Sequence, residues 1–173
     1  MKKTFFIIAM IGTLTINAQT NKNTTIKSRV RQLEDRVALK NLVDTFSVLA
    51  DIKDVKSQVL LFTENAIVES FRDGKSSGVL VGRKQIGEAF TNFLKLFDVV
   101  YHINGQQTVL LDGDNAKGTS YCLVTLIGSQ DGKKMKTTMG VIYKDDYVRE
   151  NGRWFISKRE SNFTWTERRA LAD

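Results

Sequence analysis

Few residues in this chain have types and surroundings that suggest chemistry, and one stands apart. His102 is the single histidine among 173 residues. It lies in the stretch 98–112, DVVYHINGQQTVLLD, which reads as a strand. Side chains alternate along a strand, so Val100, His102 and Asn104 share one face, and Val99, Tyr101 and Ile103 share the other. An imidazole titrates near neutral pH without help. His102 is therefore either a general acid or base in a pocket, or a core histidine satisfied by its neighbours. The single cysteine, Cys122, sits among apolar strand residues and reads as a buried, inert thiol. It has no partner for an intramolecular disulfide. One His and one Cys make no recognisable zinc ligand set. The turn glycines lack phosphate-binding spacing, and no Ser-His-Asp arrangement occurs in motif form. No metal and no cofactor are expected.

The elements that position these residues follow from periodicity. From Ser28, a plausible N-cap, Val30, Leu33 and Val37 recur at helical spacing, and Leu39, Val43, Phe46 and Ala50 continue it to about Asp51. On that helix Asp51 falls near Asp44 and Ser47, which reads as a solvated face. A carboxylate in the last turn opposes the helix dipole, at a cost of ~0.3–1 kcal/mol. A short helix, DVKSQVLLF, follows, with Asp54 as its cap and Val55, Val59 and Phe62 inward. AIVESF reads as a strand, RDGKSSG as a turn and VLVG as a short partner strand. Residues 83–97 are helical again, with Ile86, Phe90 and Phe93/Leu94 as an apolar stripe. Everything after that is strand: the His102 segment, then 116–127, 135–149 and RWFISKRESNFTW, joined by Asp-Gly and Asn-Gly turns of the hairpin type. Helices segregated from an antiparallel sheet give an α+β domain. A curved sheet wrapped against helices leaves an apolar pocket, the usual place for a small-molecule site.

The totals set the outer limits. With 42% hydrophobic and 26% charged residues, 12 glycines and no proline, the chain has the composition of one globular domain. The net charge is +7, and its Lys and Arg are scattered among 19 acids without a basic run, so no nucleic-acid partner is expected. At the N-terminus MKK precedes the apolar TFFIIAMIGTLTI, and Ala18 offers a small residue for cleavage. This is the pattern of a secretory signal peptide. The apolar run is shorter than the ~20 residues a membrane span needs. Residues 1–18 are thus expected to be removed, 19–27 to form a loose polar leader, and 28–173 to form a single domain. The mature protein, beginning at about Gln19, would be periplasmic or secreted.

Several segments together carry a resemblance. FSVLADIKD, LFTENAIVE, VGRKQI, VYHINGQ, DGDNAKGTSY and IYKDDYVRENGRWFISKR occur in an order and spacing similar to the SnoaL-like branch of the nuclear transport factor 2-like superfamily. The resemblance spans residues 30–165, nearly all of the mature chain. It implies a cone-shaped roll of a curved antiparallel sheet packed against three N-terminal helices and enclosing a pocket. Enzymes of this branch include scytalone dehydratase and bile-acid dehydratase. The resemblance implies an Asp near the end of the first helix paired with a His on the first long strand, here Asp51 and His102. It also implies a last-strand Arg after a Trp-x-Ile pattern, here Arg159. The chain departs from the dehydratase pattern twice. Phe46 stands where a Tyr is expected five residues before the Asp, and the second His of scytalone dehydratase is absent.

A carboxylate beside an imidazole fixes its tautomer and raises its basicity, so it can take a proton from carbon next to a carbonyl. Elimination of a β-hydroxyl or migration of a double bond could follow without a cofactor. Donors are needed for the developing enolate. Arg159 is the first candidate, with Tyr143 and Tyr121 after it; the alternative for each tyrosine is ordinary sheet packing. Phe46 and Asn104 are further candidate lining residues, and Asn104 alternatively pairs with a neighbouring strand. Two functions stay open. One is a lyase or isomerase acting on a small hydrophobic carbonyl compound. The other is a non-catalytic protein that binds a small ligand or serves as a dimeric interaction module. Related folds commonly pair through the outer sheet face, so a homodimer is expected in either case.

Overall fold

The computed structural model describes residues 11–171, and their side chains from residue 25 onward. The first ten residues of the expected signal segment lie outside the described residues. The chain divides after Val37 into two units. In the first, helix α1 (Ile11–Asp51) has already begun, and it includes the stretch 19–27 expected to be a loose leader. No glycine or proline occurs between residues 13 and 27, so nothing interrupts the helical hydrogen bonds and Ser28 caps no helix. Val30, Leu33 and Val37 share their helical spacing with the core positions that follow, yet they are exposed. Spacing alone does not tell whether a surface lies opposite.

In the second unit, burial of apolar side chains begins at Leu39 and continues through Leu42, Val43, Phe46 and Ala50. Helix α2 (Val55–Gln58) follows, its first turn capped by Asp54, whose carboxylate accepts from the Ser57 amide. A single 3-10 turn, Val59–Leu61, leads into β1 (Phe62–Arg72), β2 (Lys75–Val81) and α3 (Gly82–Leu94). Then come β3 (Val99–Asp112), β4 (Asn115–Gln130), β5 (Lys133–Glu150) and β6 (Arg153–Ala170). The turn between β1 and β2 is only Asp73-Gly74; Lys75, Ser76 and Gly78, expected in the turn, are paired in β2, and Ser77 is the extra residue of a bulge between them. Asp73-Gly74, Asp131-Gly132 and Asn151-Gly152 all have positive φ at both residues, the tight hairpin geometry that their sequences favour.

The strands form one curved, open six-stranded sheet in the order β2-β1-β6-β5-β4-β3. Neighbours are antiparallel except β1 and β6, which run parallel, so the sheet is mixed. The end of α1 and helix α3 contribute to its core. One cluster joins Leu39, Val43, Phe46, Phe62, Ile86, Tyr147 and Ile156; the other joins Ala50, Leu94, Val100, Val124, Met139 and Tyr143. Among the described residues no helix is long and apolar enough to cross a membrane.

Candidate active site

The polar face of α1 expected to be solvated instead meets β3. Ser47 donates to Asn104 Oδ1 at 3.0 Å, while Asn104 Nδ2 donates to Asp44 Oδ1 at 3.0 Å and to the Val43 carbonyl at 3.3 Å. One turn further on, Asp51 Oδ1 lies 2.6 Å from His102 Nδ1, and Asp51 Oδ2 accepts from the His102 amide at 3.3 Å. The carboxylate thus holds both the ring and the backbone of one strand residue. This contact accounts for a carboxylate in the unfavourable last turn of a helix.

Asp51 offers acceptors only, so in the neutral imidazole Nδ1 carries the hydrogen and Nε2 the lone pair. Burial lowers the His102 pKa below its ordinary value; the Asp51 hydrogen bond and charge oppose this, and burial prevails. At neutral pH the ring is an uncharged base.

His102 lines a cavity of about 450 Å³ whose walls are mostly apolar, among them Ala50, Phe90, Leu94, Val124, Met139 and Phe163. Phe46, Tyr143 and Arg159 line it as well. The Arg159 guanidinium lies between the Phe46 and Tyr143 rings, 4.2 and 4.3 Å from their centroids. Arg159 is fully buried, and Asp145 takes two of its hydrogen bonds, from Nε at 2.8 Å and from Nη2 at 2.7 Å. Burial opposes the charge on Arg159, but Asp145 outweighs it and keeps the guanidinium protonated. Burial pushes the Tyr143 phenol up, so it faces the cavity as a neutral hydroxyl. The Cys122 thiol is likewise pushed up by burial, to about 12, which fits an inert thiol.

The expected site residues therefore separate into three groups. Asp51, His102, Phe46, Tyr143 and Arg159 converge at the cavity or directly behind it. Asn104 shares the inner face of β3 but is committed to α1. Tyr121 is half exposed on the opposite face of the sheet, because β4 turns Ser120 and Cys122 inward and Tyr121 outward. A second hollow of about 510 Å³ is lined by Lys117, Lys144, Asp146, Lys158 and Glu160. Its Lys117–Asp146 and Lys158–Glu160 pairs already neutralise each other, at 2.9 and 2.7 Å.

Two buried residues went unsuspected in the sequence. Asp145 was legible in principle, since Val141, Tyr143, Asp145 and Tyr147 alternate inward along β5. Gln58 was legible as a polar residue three positions after inward Val55 on α2. It is buried and lines the cavity, and its Nε2 donates to the Phe46 carbonyl at 3.0 Å.

Solved structures share this architecture. One is a hexachlorocyclohexane dehydrochlorinase, LinA-type3, from Novosphingobium barchaimii LL02. It superposes with a TM-score of 0.68 at 17% identity, covering 83% of this chain and 94% of that one. A scytalone dehydratase-like protein of Novosphingobium aromaticivorans also superposes with a TM-score of 0.68. Its identity is 19%, and the match covers 79% of this chain and 88% of that one. In sequence, an uncharacterized protein of Mycobacterium tuberculosis is 27% identical over 131 residues, 75% of this chain and 86% of its own length. The SnoaL-like domain family matches residues 31–160, from α1 to the buried arginine strand. On that match, the chain belongs to the SnoaL-like domain family.

Proposed function

We propose that this protein is an exported, cofactor-independent lyase or isomerase acting on a small hydrophobic carbonyl compound, with dehydration of a β-hydroxy carbonyl as the reaction that fits best. The observation that carries this reading is the 2.6 Å contact between Asp51 and His102 at the wall of an apolar cavity. His102 Nε2 takes the proton from the carbon next to the carbonyl, and that C–H electron pair becomes the new double bond of an enolate. Asp51 stabilises the imidazolium that results. Arg159, with Tyr143 beside it, stabilises the enolate oxygen. As the enolate collapses, the β C–O bond breaks, and the imidazolium returns the proton to the departing hydroxyl as water. Double-bond migration uses the same first step, with the proton returned to carbon. Support comes from the fold neighbours, whose names denote loss of hydrogen chloride and loss of water; a fold alone does not transmit an activity.

Non-catalytic ligand binding is the second reading. Phe46 favours it, since the dehydratase pattern places a Tyr there. An aryl β-hydroxyketone decides between the two, because its dehydration creates a conjugated enone with new ultraviolet absorption. Turnover should fall by about 10²–10⁴ in His102→Gln, the contribution of a positioned general base. Equal rates in wild type and His102→Gln would leave only the binding reading.

The same proposal includes export and pairing. Residues 1–18 act as a cleaved signal segment. The outer sheet face exposes Tyr101, Ile103, Tyr121, Leu123 and Trp165, an apolar surface suited to a second copy of the chain.

A further inference from the structure

Two buried polar atoms on residues lining the cavity have no hydrogen-bond partner among the described residues: Arg159 Nη1, a donor, and Gln58 Oε1, an acceptor. Both side chains are essentially inaccessible, at 0% and 1% exposure. A buried polar atom left unpaired loses its hydration without recompense, so each points to a ligand group that completes it. The Gln58 orientation is fixed by its other end. Nε2 must donate to the Phe46 carbonyl at 3.0 Å, which leaves Oε1 as the open acceptor.

The charge around Arg159 limits what it can take. Asp145 binds it through two hydrogen bonds and cancels its charge. Tyr147 lies behind Asp145 and donates to Asp145 Oδ2 at 2.8 Å; Gln107 in turn donates to the Tyr147 hydroxyl at 3.5 Å. This row spends Nε and Nη2 on the protein and leaves Nη1. The other charged groups nearby do not make the wall cationic. His102 is uncharged at neutral pH, and Asp51 stands behind it as a carboxylate. Arg72 also lines the cavity, but it is exposed and stacked on Phe163 at 4.2 Å, with its charge screened by water. A carboxylate entering here would meet no uncompensated buried cation and would lie near two existing anions.

We infer that Gln58 and Arg159 together select a neutral ligand that carries both a carbonyl-type acceptor, for Arg159 Nη1, and a hydroxyl donor, for Gln58 Oε1. Asp145 and Tyr147 are the positioning residues that make the arginine a neutral reader. This deepens the proposed function by naming the ligand class, and it rests on the cavity being the ligand site, whether or not the dyad is catalytic.

Single-feature probes on one naphthalene scaffold test it in the full mature chain, by calorimetric titration. 2-Acetonaphthone should bind about tenfold or more tightly than 2-naphthoate, because the wall offers a buried carboxylate no uncompensated cation, and 2-naphthol about tenfold more tightly than 2-methoxynaphthalene, a ratio reflecting one completed hydrogen bond. Gln58→Met should erase the naphthol preference and leave the ketone–carboxylate ratio intact. Asp145→Asn should erase or reverse the ketone–carboxylate ratio and leave the naphthol preference intact. Tyr147→Phe keeps the ring and removes a donor that draws charge from Asp145, so it should preserve or widen that ratio, and a narrowed ratio would overturn the inference even if Asp145→Asn does not fold. Equal binding of ketone and carboxylate by wild type, survival of the naphthol preference in Gln58→Met, or binding of none of the probes would each overturn the inference. The dehydration assay is independent of these ratios. Its failure beside the expected ranking would remove the catalytic reading and leave the ligand class standing.

Discussion

At His102 two effects oppose each other within one side chain. Burial disfavours the imidazolium, Asp51 favours it, and burial wins, so the folded pKa lies below the unfolded reference of ~6.5. The sign of the linkage follows. The contribution is fully present above the unfolded value, and it is lost as pH falls through the folded one, because the unfolded chain takes up the proton first. Wild type should therefore lose more stability than His102→Gln when urea unfolding is compared at about pH 7.5 and about pH 5, groups common to both cancelling. Identical losses would mean that the ring is not held neutral. The sequence made His102 conspicuous by its solitude, and strand alternation placed it correctly beside Val100 and Asn104. It could not show how deeply the ring is buried, because that depends on where the end of α1 settles. Residue types likewise suggested a solvated Asp44–Ser47–Asp51 face; only the docking of that face on β3 shows it to be a polar seam.

Arg159 shows the same limit at the scale of the element. Trp154 and Ile156 point inward, so simple alternation along β6 puts Lys158 inward and Arg159 outward. In the structure Asp146 pairs with Lys158 and Tyr147 with Ile156, leaving Ser157 as the additional residue of a bulge. The bulge shifts the alternation by one and turns Arg159 into the core. No sequence signal marks it, and the family pattern alone pointed to Arg159. The neighbouring strands show how closely this region is fitted. A Cβ at Gly118 would lie 2.8 Å from the Tyr147 ring and 3.3 Å from the Thr108 carbonyl. Gly118→Ala should therefore destabilise the fold by about 1–3 kcal/mol, through overpacking against the ring that supports Asp145. Gly78→Ala, where a Cβ meets nothing within 4 Å, should stay within about 0.5 kcal/mol. Equal midpoints in urea for the two variants would contradict this placement of Tyr147.

For the whole molecule, composition and turn chemistry led directly to the α+β class, since the three Asp-Gly and Asn-Gly hairpins fix the order of the later strands. The parallel pairing of β1 with β6 was not legible, because it joins segments about ninety residues apart with no local signal. Pairing through the outer face predicts a dimer in sedimentation at micromolar concentration and a monomer for Trp165→Glu. A wild-type monomer would exclude that interface. Export predicts that mass spectrometry of the secreted or periplasmic protein finds a chain starting at or next to Gln19, whereas an exported chain retaining Met1 would refute cleavage.

The coupling of Asp51 to His102 is the claim on which the chemistry depends, and one nuclear magnetic resonance titration reads it directly. His102 is the only histidine, so an untagged chain gives a single imidazole signal to follow. Wild type should titrate below the ordinary histidine value. Asp51→Asn keeps the shape but removes the charge, the influence that raises the His102 pKa, so the midpoint should move lower still. An unchanged midpoint in Asp51→Asn would mean that the two groups do not interact, and the catalytic reading would fall with it.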